Sequence, residues 1–178
     1  MIRIKPGERF DQLLGRAEQL AFHLETADDY DAETEAESFA TWRDNEARDP
    51  GGDWFAPWTQ QVRAMTGRGV AVRRARIVTV PHTTYTRYLL ALGRYNVDAG
   101  EDVRYLTRAS ADPDDAVAED FWLLDTHTVA YSLFDERGRW IGAATTSEPR
   151  QLRAAIAIRD RVWAAAIPIE DYLVGRSR

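Results

Sequence analysis

Apolar residues at Phe10, Leu13, Leu14, Ala17, Leu20, Ala21 and Leu24 recur at steps of three and four, which predicts an amphipathic helix over residues 10–24. Residues 31–48 are rich in Glu and Ala, with Phe39 and Trp42 three apart. That is the pattern of a second, shorter and more exposed helix, stopping before the turn cluster Asp49-Pro50-Gly51-Gly52. Trp54, Trp58, Val62 and Met65 keep helical spacing, Pro57 falls in the first turn where its missing N–H costs little, and Gly67-Arg68-Gly69 caps the end. A third helix is expected over residues 55–66. From Val70 to Val80 the pattern turns β-branched between Gly69 and Pro81, which predicts a strand. Its Arg73, Arg74 and Arg76 imply that one face or one end stays wet.

Residues 83–94 return to helical spacing through Tyr85, Tyr88, Leu89 and Leu92, and a strand follows over Asp102 to Thr107. The polar run from Ala109 to Glu119, with Pro113, reads as a connecting loop and the place where local disorder is expected. Three apolar segments at 120–125, 129–134 and 140–145 are separated by Asp125-Thr126-His127 and by Asp135 to Arg139, turn signals that predict an antiparallel meander. A closing helix is expected over 148–166, ended by Pro168. This order predicts an α/β chain of mixed α+β class, with a mixed sheet of about five strands flanked by helices. One domain is expected over residues 1–178, with a helical part over 1–68 and the sheet over 69–178.

Composition narrows the classes. The 178 residues include nineteen aromatic side chains, 44% hydrophobic and 29% charged residues, enough for a packed core and unlike a disordered or fibrous chain. With no cysteine, disulfides, thiolate catalysis and cysteine zinc sites are excluded. The first ten residues lack the apolar run of a signal peptide, and no window has the apolar length of a membrane span. The cytoplasm is therefore the expected compartment and no membrane partner is expected. The net charge is −6, with acidic residues crowded between Glu25 and Asp53, a surface expected to repel nucleic acid.

Val103-Arg104-Tyr105-Leu106, Asp120-Phe121-Trp122-Leu123-Leu124-Asp125, the turn from Phe134 to Gly142 and Arg159-Asp160-Arg161-Val162-Trp163 together resemble an uncharacterised family of small proteins from high-GC actinobacteria. Members of that family are often encoded beside helix-turn-helix regulators. The resemblance runs from about His23 to Tyr172 and implies a regulator as a partner. The strand, helix, strand, meander and helix of residues 70–166 are also similar to one half of the phospholipase D-like fold. The catalytic His-x-Lys of that fold is missing, because His127 is followed by Thr128 and Val129 and Lys5 is the sole lysine.

His23, His82 and His127 are scattered and read as surface or capping residues, and no metal or cofactor is expected. Asp28, Asp29, Asp31 and Glu33 lack the glycine and alternation of a calcium loop and read as a solvated helix entrance. Most tryptophans are assigned to the core, with Trp42 as an exposed anchor. The residues selected as a site are Tyr85, Arg87, Glu101, Arg104 and Asp125, placed at strand ends or on the crossover helix, where open α/β sheets form crevices. An arginine beside a carboxylate there orients a small anion or an acidic side chain; the same groups also fit a structural salt-bridge network.

The expected function is a non-enzymatic regulatory or protein-interaction module, with a protein partner such as a helix-turn-helix regulator and no direct nucleic-acid contact. The alternative is a sensor holding a small anionic or aromatic ligand near Arg87 and Arg104. A second alternative is a hydrolase-like enzyme using Glu101 and Asp125.

Overall fold

The computed structural model describes residues 1–176. Fourteen regular elements follow in chain order: β1 (Ile2–Ile4), α1 (Glu8–Gly15), β2 (Leu20–Glu25), α2 (Ala36–Asp44), α3 (Ala56–Thr66), β3 (Ala71–Val78), α4 (Thr84–Asp98), β4 (Asp102–Thr107), β5 (Phe121–Leu124), β6 (Thr128–Phe134), β7 (Trp140–Thr146), α5 (Pro149–Ala165), β8 (Ile167–Pro168) and α6 (Ile169–Arg176). The strands form one mixed sheet in the order β1-β7-β6-β5-β2-β3-β4-β8. β2, β3 and β4 run parallel, and the other neighbours are antiparallel. The mixed α+β class is as expected, but eight strands replace about five.

The added strands come from segments whose local pattern is ambiguous. In Leu20-Ala21-Phe22-His23-Leu24-Glu25 the apolar residues satisfy helical steps, but Phe22 and Leu24 also alternate with His23 and Glu25. The strand period prevails because a β-strand there pairs on both sides, with β3 and with β5. The helix expected over residues 10–24 therefore stops at Gly15, and the expectation of an all-helical stretch before residue 69 is corrected. β1 and β8, three and two residues long, are too short to show a period.

Phe22, Leu24, Ala75 and Ile77 pack against Ala155 and Val162 of α5 on one face of the sheet. On the other face Ala21, Val72, Trp122 and Leu124 meet Phe10 and Leu14 of α1 and Val62 and Met65 of α3. Tyr85, Tyr88, Leu89 and Leu92 of α4 gather around Trp42 of α2. Trp42 is 4% exposed and is a core residue, not a surface anchor. Thr83 caps α4 by accepting the Thr86 backbone N–H, and Glu148 caps α5 by accepting those of Arg150 and Gln151. The run from Ala109 to Glu119, expected to be disordered, is tied down. Asp115 is buried and pairs with Arg161 at 2.6 Å, while Arg108 reaches the carbonyl oxygens of Thr26, Ile77 and Ala116.

Candidate functional site

Strand register assembles the site. His23 lies beside Trp122 of β5 and Arg74 of β3, and one pleat further Glu25 lies beside Arg76, which neighbours Tyr105 of β4. Alternation along each strand sends these side chains to one face, near the carboxyl ends of the parallel strands β2 and β3. His23, Glu25, Arg74, Arg76 and Trp122 form the floor of a cavity of about 360 Å³. Trp58, Phe55, Phe10 and Trp140 line it together with Tyr30, Glu35, Tyr85, Asp120 and Phe134.

The floor is a network of buried charge. Arg74 donates Nε to Glu101 Oε1 at 2.7 Å and Nη1 to Glu25 Oε1 at 2.5 Å and to His23 Nδ1 at 3.0 Å. Glu101, 2% exposed, also accepts Trp58 Nε1 at 3.1 Å and Asn96 Nδ2 at 2.5 Å. Arg76 forms an ion pair with Glu25 through Nε, without hydrogen-bond alignment, and donates Nη1 to Tyr105. Arg74 also lies 5.4 Å from the Trp58 ring and 5.8 Å from the Trp122 ring, where the negative ring faces hold a cation.

These contacts decide protonation. Burial drives the Glu25 carboxyl upward, but Arg74 and Arg76 outweigh it and hold the group at about 2. Burial, aided by the same two arginines, lowers His23 to about 3, so the ring is neutral. A guanidinium has no acceptor, so Nδ1 is the bare nitrogen and Nε2 carries the proton. His23 is 8% exposed and stacked on Trp122 at 4.2 Å, and its Nε2–H has no hydrogen-bond partner among the described residues. Both features overturn its reading as a surface histidine.

Two further buried carboxylates line the cavity. Glu35 takes the Tyr85 hydroxyl; Asp120 takes the Tyr30 hydroxyl and the Thr26 backbone N–H at 2.8 Å. Burial pushes both carboxyls above their usual range. Glu35 follows directly on the run Asp28 to Glu33 that was expected to be a solvated helix entrance, yet it is itself 9% exposed.

Of the residues selected from sequence, the structure brings together Tyr85, on the cavity wall, and Glu101, beneath its floor. Arg87 is on the outer side of α4, paired with Glu46 at 2.6 Å. Arg104 points to the α5 face, 4.1 Å from the Trp163 ring. Asp125, at φ 53°, accepts the backbone N–H groups of Glu18, Gln19 and Leu20 and ties α1 to β2. Sequence reasoning missed His23, Glu25, Glu35 and Asp120 as a set, and it saw Arg74 and Arg76 only as a wet patch. The signal was the period-two pairing of His23 with Glu25 and of Arg74 with Arg76, hidden once residues 20–24 were read as helix. Among the described residues no group of three metal-ligating side chains converges, and no helix is long and apolar enough to cross a membrane.

A mixed sheet bearing a charged, aromatic-walled cavity above its parallel strands defines an α+β fold with a polar recess over β2 and β3. Residues 8–174 match the model of a domain of unknown function, DUF6879, and the chain belongs to that family. No curated protein matches it in sequence. Among solved structures it is similar to TrmBL2, described as an archaeal chromatin protein showing a novel mode of DNA binding. The identity is 13% and the TM-score 0.49, over 90% of this chain and 49% of that one, so the chain spans about half the length of its structural neighbour.

The expectation of no direct nucleic-acid contact is corrected: this neighbour is described as DNA-binding, a likeness that assigns no partner to this chain. The physical ground for the exclusion was also too broad, because net charge is a sum over the whole surface. Arg3, Lys5, Arg9 and Arg16 are all exposed around one groove at β1 and α1.

Proposed function

We propose that the domain binds a small molecule in the cavity above β2 and β3 and acts as a regulatory sensor. The observation that carries this reading is the His23 Nε2–H, a buried donor without a partner among the described residues, in a cavity whose floor charges pair with one another. An unmatched buried donor costs free energy that a ligand acceptor recovers. Volume and aromatic walls suit a small organic ligand.

The test is a thermal-shift screen of small metabolites against the wild type and Ala32→Trp, which places an indole at a partly exposed lining position. A ligand at a hundred times its Kd adds about 2.7 kcal/mol, or roughly 5–10 °C for a chain of this size. The reading expects that shift in the wild type and its loss in the variant. No shift from any compound, or equal shifts in both proteins, would sink it.

Glu35 and Asp120 support a second reading. Carboxyls held above their usual range in a cavity suit general acid–base catalysis. Mass spectrometry of the released ligand separates the two: a sensor returns it unchanged, and an enzyme returns a product.

A further inference from the structure

We infer that the cavity receives an organic cation, an amine or guanidinium carried on an apolar body, with its charge against Glu35 and Asp120. This rests on the small-molecule reading and names the class of ligand.

The two floor guanidiniums are already matched: Arg74 by Glu101 and Glu25, and Arg76 by Glu25. His23 adds no charge. Glu35 and Asp120 are left over, and each is held by a neutral tyrosine hydroxyl. Among the described residues neither forms an ion pair with an arginine or lysine, although both are largely buried. The rings of Tyr30 and Tyr85 are 6.1 Å apart, so the two tyrosine–carboxylate pairs border the same space. Asp31 lines that space as well.

A buried carboxylate without a counter-ion is costly, and a ligand cation placed there removes that cost. The walls favour the same charge, since Tyr30, Phe134 and Trp140 line the cavity with aromatic rings whose faces attract cations and whose bodies accept an apolar stem. An anion entering the cavity meets two carboxyl groups that form no ion pair among the described residues and two guanidiniums that are already occupied. The His23 Nε2–H adds one requirement, an acceptor such as a hydroxyl or carbonyl on the natural ligand.

Three probes of one shape separate the possibilities: 2-phenylethylamine, 2-phenylethanol and phenylacetate. Each is titrated into the full chain at neutral pH and low salt and followed by tryptophan fluorescence and calorimetry. The amine is expected to bind about tenfold more tightly than the alcohol, and phenylacetate most weakly, as a desolvated charge contact and a cation–π contact together require. Glu35→Gln and Asp120→Asn, each checked for an unchanged melting profile, are expected to bring the amine-to-alcohol ratio close to one.

Binding with no charge preference, or with phenylacetate favoured, overturns this inference and leaves the small-molecule reading intact. The same holds if the amine preference survives in both variants. Failure of all three probes at millimolar concentration overturns the inference and counts against the small-molecule reading as well.

Discussion

Toward α5, strands β2 and β3 present Phe22, Leu24, Ala75 and Ile77; toward α3 and α4, the intervening residues of the same strands are His23, Glu25, Arg74 and Arg76. Both faces are buried, but by different physics. The first is held by area removed from water, which is non-directional and tolerates small changes in shape. The second is held by ion pairs and hydrogen bonds in a low-dielectric setting, where each group depends on the placement of its partner and an orphan is costly. A sheet face of the second kind serves packing poorly, and over β2 and β3 it underlies the cavity.

The sharpest way to break this contrast is to remove one member of the polar face. Glu101→Leu takes one of two carboxylates from Arg74 and leaves Trp58 Nε1 and Asn96 Nδ2 without their acceptor, and is expected to cost about 3–5 kcal/mol in a urea titration, the penalty for breaking a buried pair. A loss below 1 kcal/mol would show that water replaces the carboxylate and that the network is looser than its geometry. Conservative replacement tests the same point more gently. Arg74→Lys keeps the charge but loses the planar fork that reaches Glu101, Glu25 and His23 together, and about 2–3 kcal/mol is expected.

Acid supplies a third test. Burial lowers His23 to about 3 in the folded protein, while in the unfolded chain it titrates near 6.5. The unfolded state therefore binds the extra proton first, and stability falls as pH drops below 6.5, by about 1.4 kcal/mol per pH unit. Glu25, held at about 2, adds a loss in the same direction only below about 4.5. Glu35 and Asp120, raised by burial, act in the opposite sense, since protonation favours the folded state as pH falls through their elevated values. Comparison with His23→Gln cancels their contribution. Between pH 6.5 and 5 the wild type is expected to lose about 2 kcal/mol more than the variant, read from urea midpoints. Parallel pH profiles would mean that His23 takes up its proton in the folded state.

The smallest effect belongs to the apolar face. Ile77→Val trims one methylene against α5 and is expected to cost about 0.5–1.5 kcal/mol, with ligand response unchanged. If it costs as much as Arg74→Lys, the two faces are not different in kind.

The hydrophobic pattern was enough to place α3, α4, β3, β4, the β5 to β7 meander and α5 to within a few residues, because each carries its own period between turn signals. The polar residues selected at strand ends and on the crossover helix include Tyr85, which lines the cavity, and Glu101, which accepts Trp58 Nε1 beneath its floor. The hydrophobic pattern misassigned residues 20–25, where apolar spacing fits helix and strand alike, and with that strand the left wall of the network was lost to view. Arg87, Arg104 and Asp125 look equivalent to Glu101 along the chain, yet one is at the outer side of α4, one is on the opposite sheet face and one is in a turn.

Local sequence determines most segments' choice of helix or strand, since those preferences act over a few residues; for residues 20–25, where both periods fit, pairing with β3 and β5 decided. The tertiary structure alone decided which polar groups meet. His23 and Arg74 are 51 residues apart and Tyr85 and Glu35 are 50 apart, and only strand register and helix docking bring each pair within hydrogen-bond reach. Burial then sets their protonation, because desolvation and neighbouring charge are properties of the assembled site rather than of any one residue.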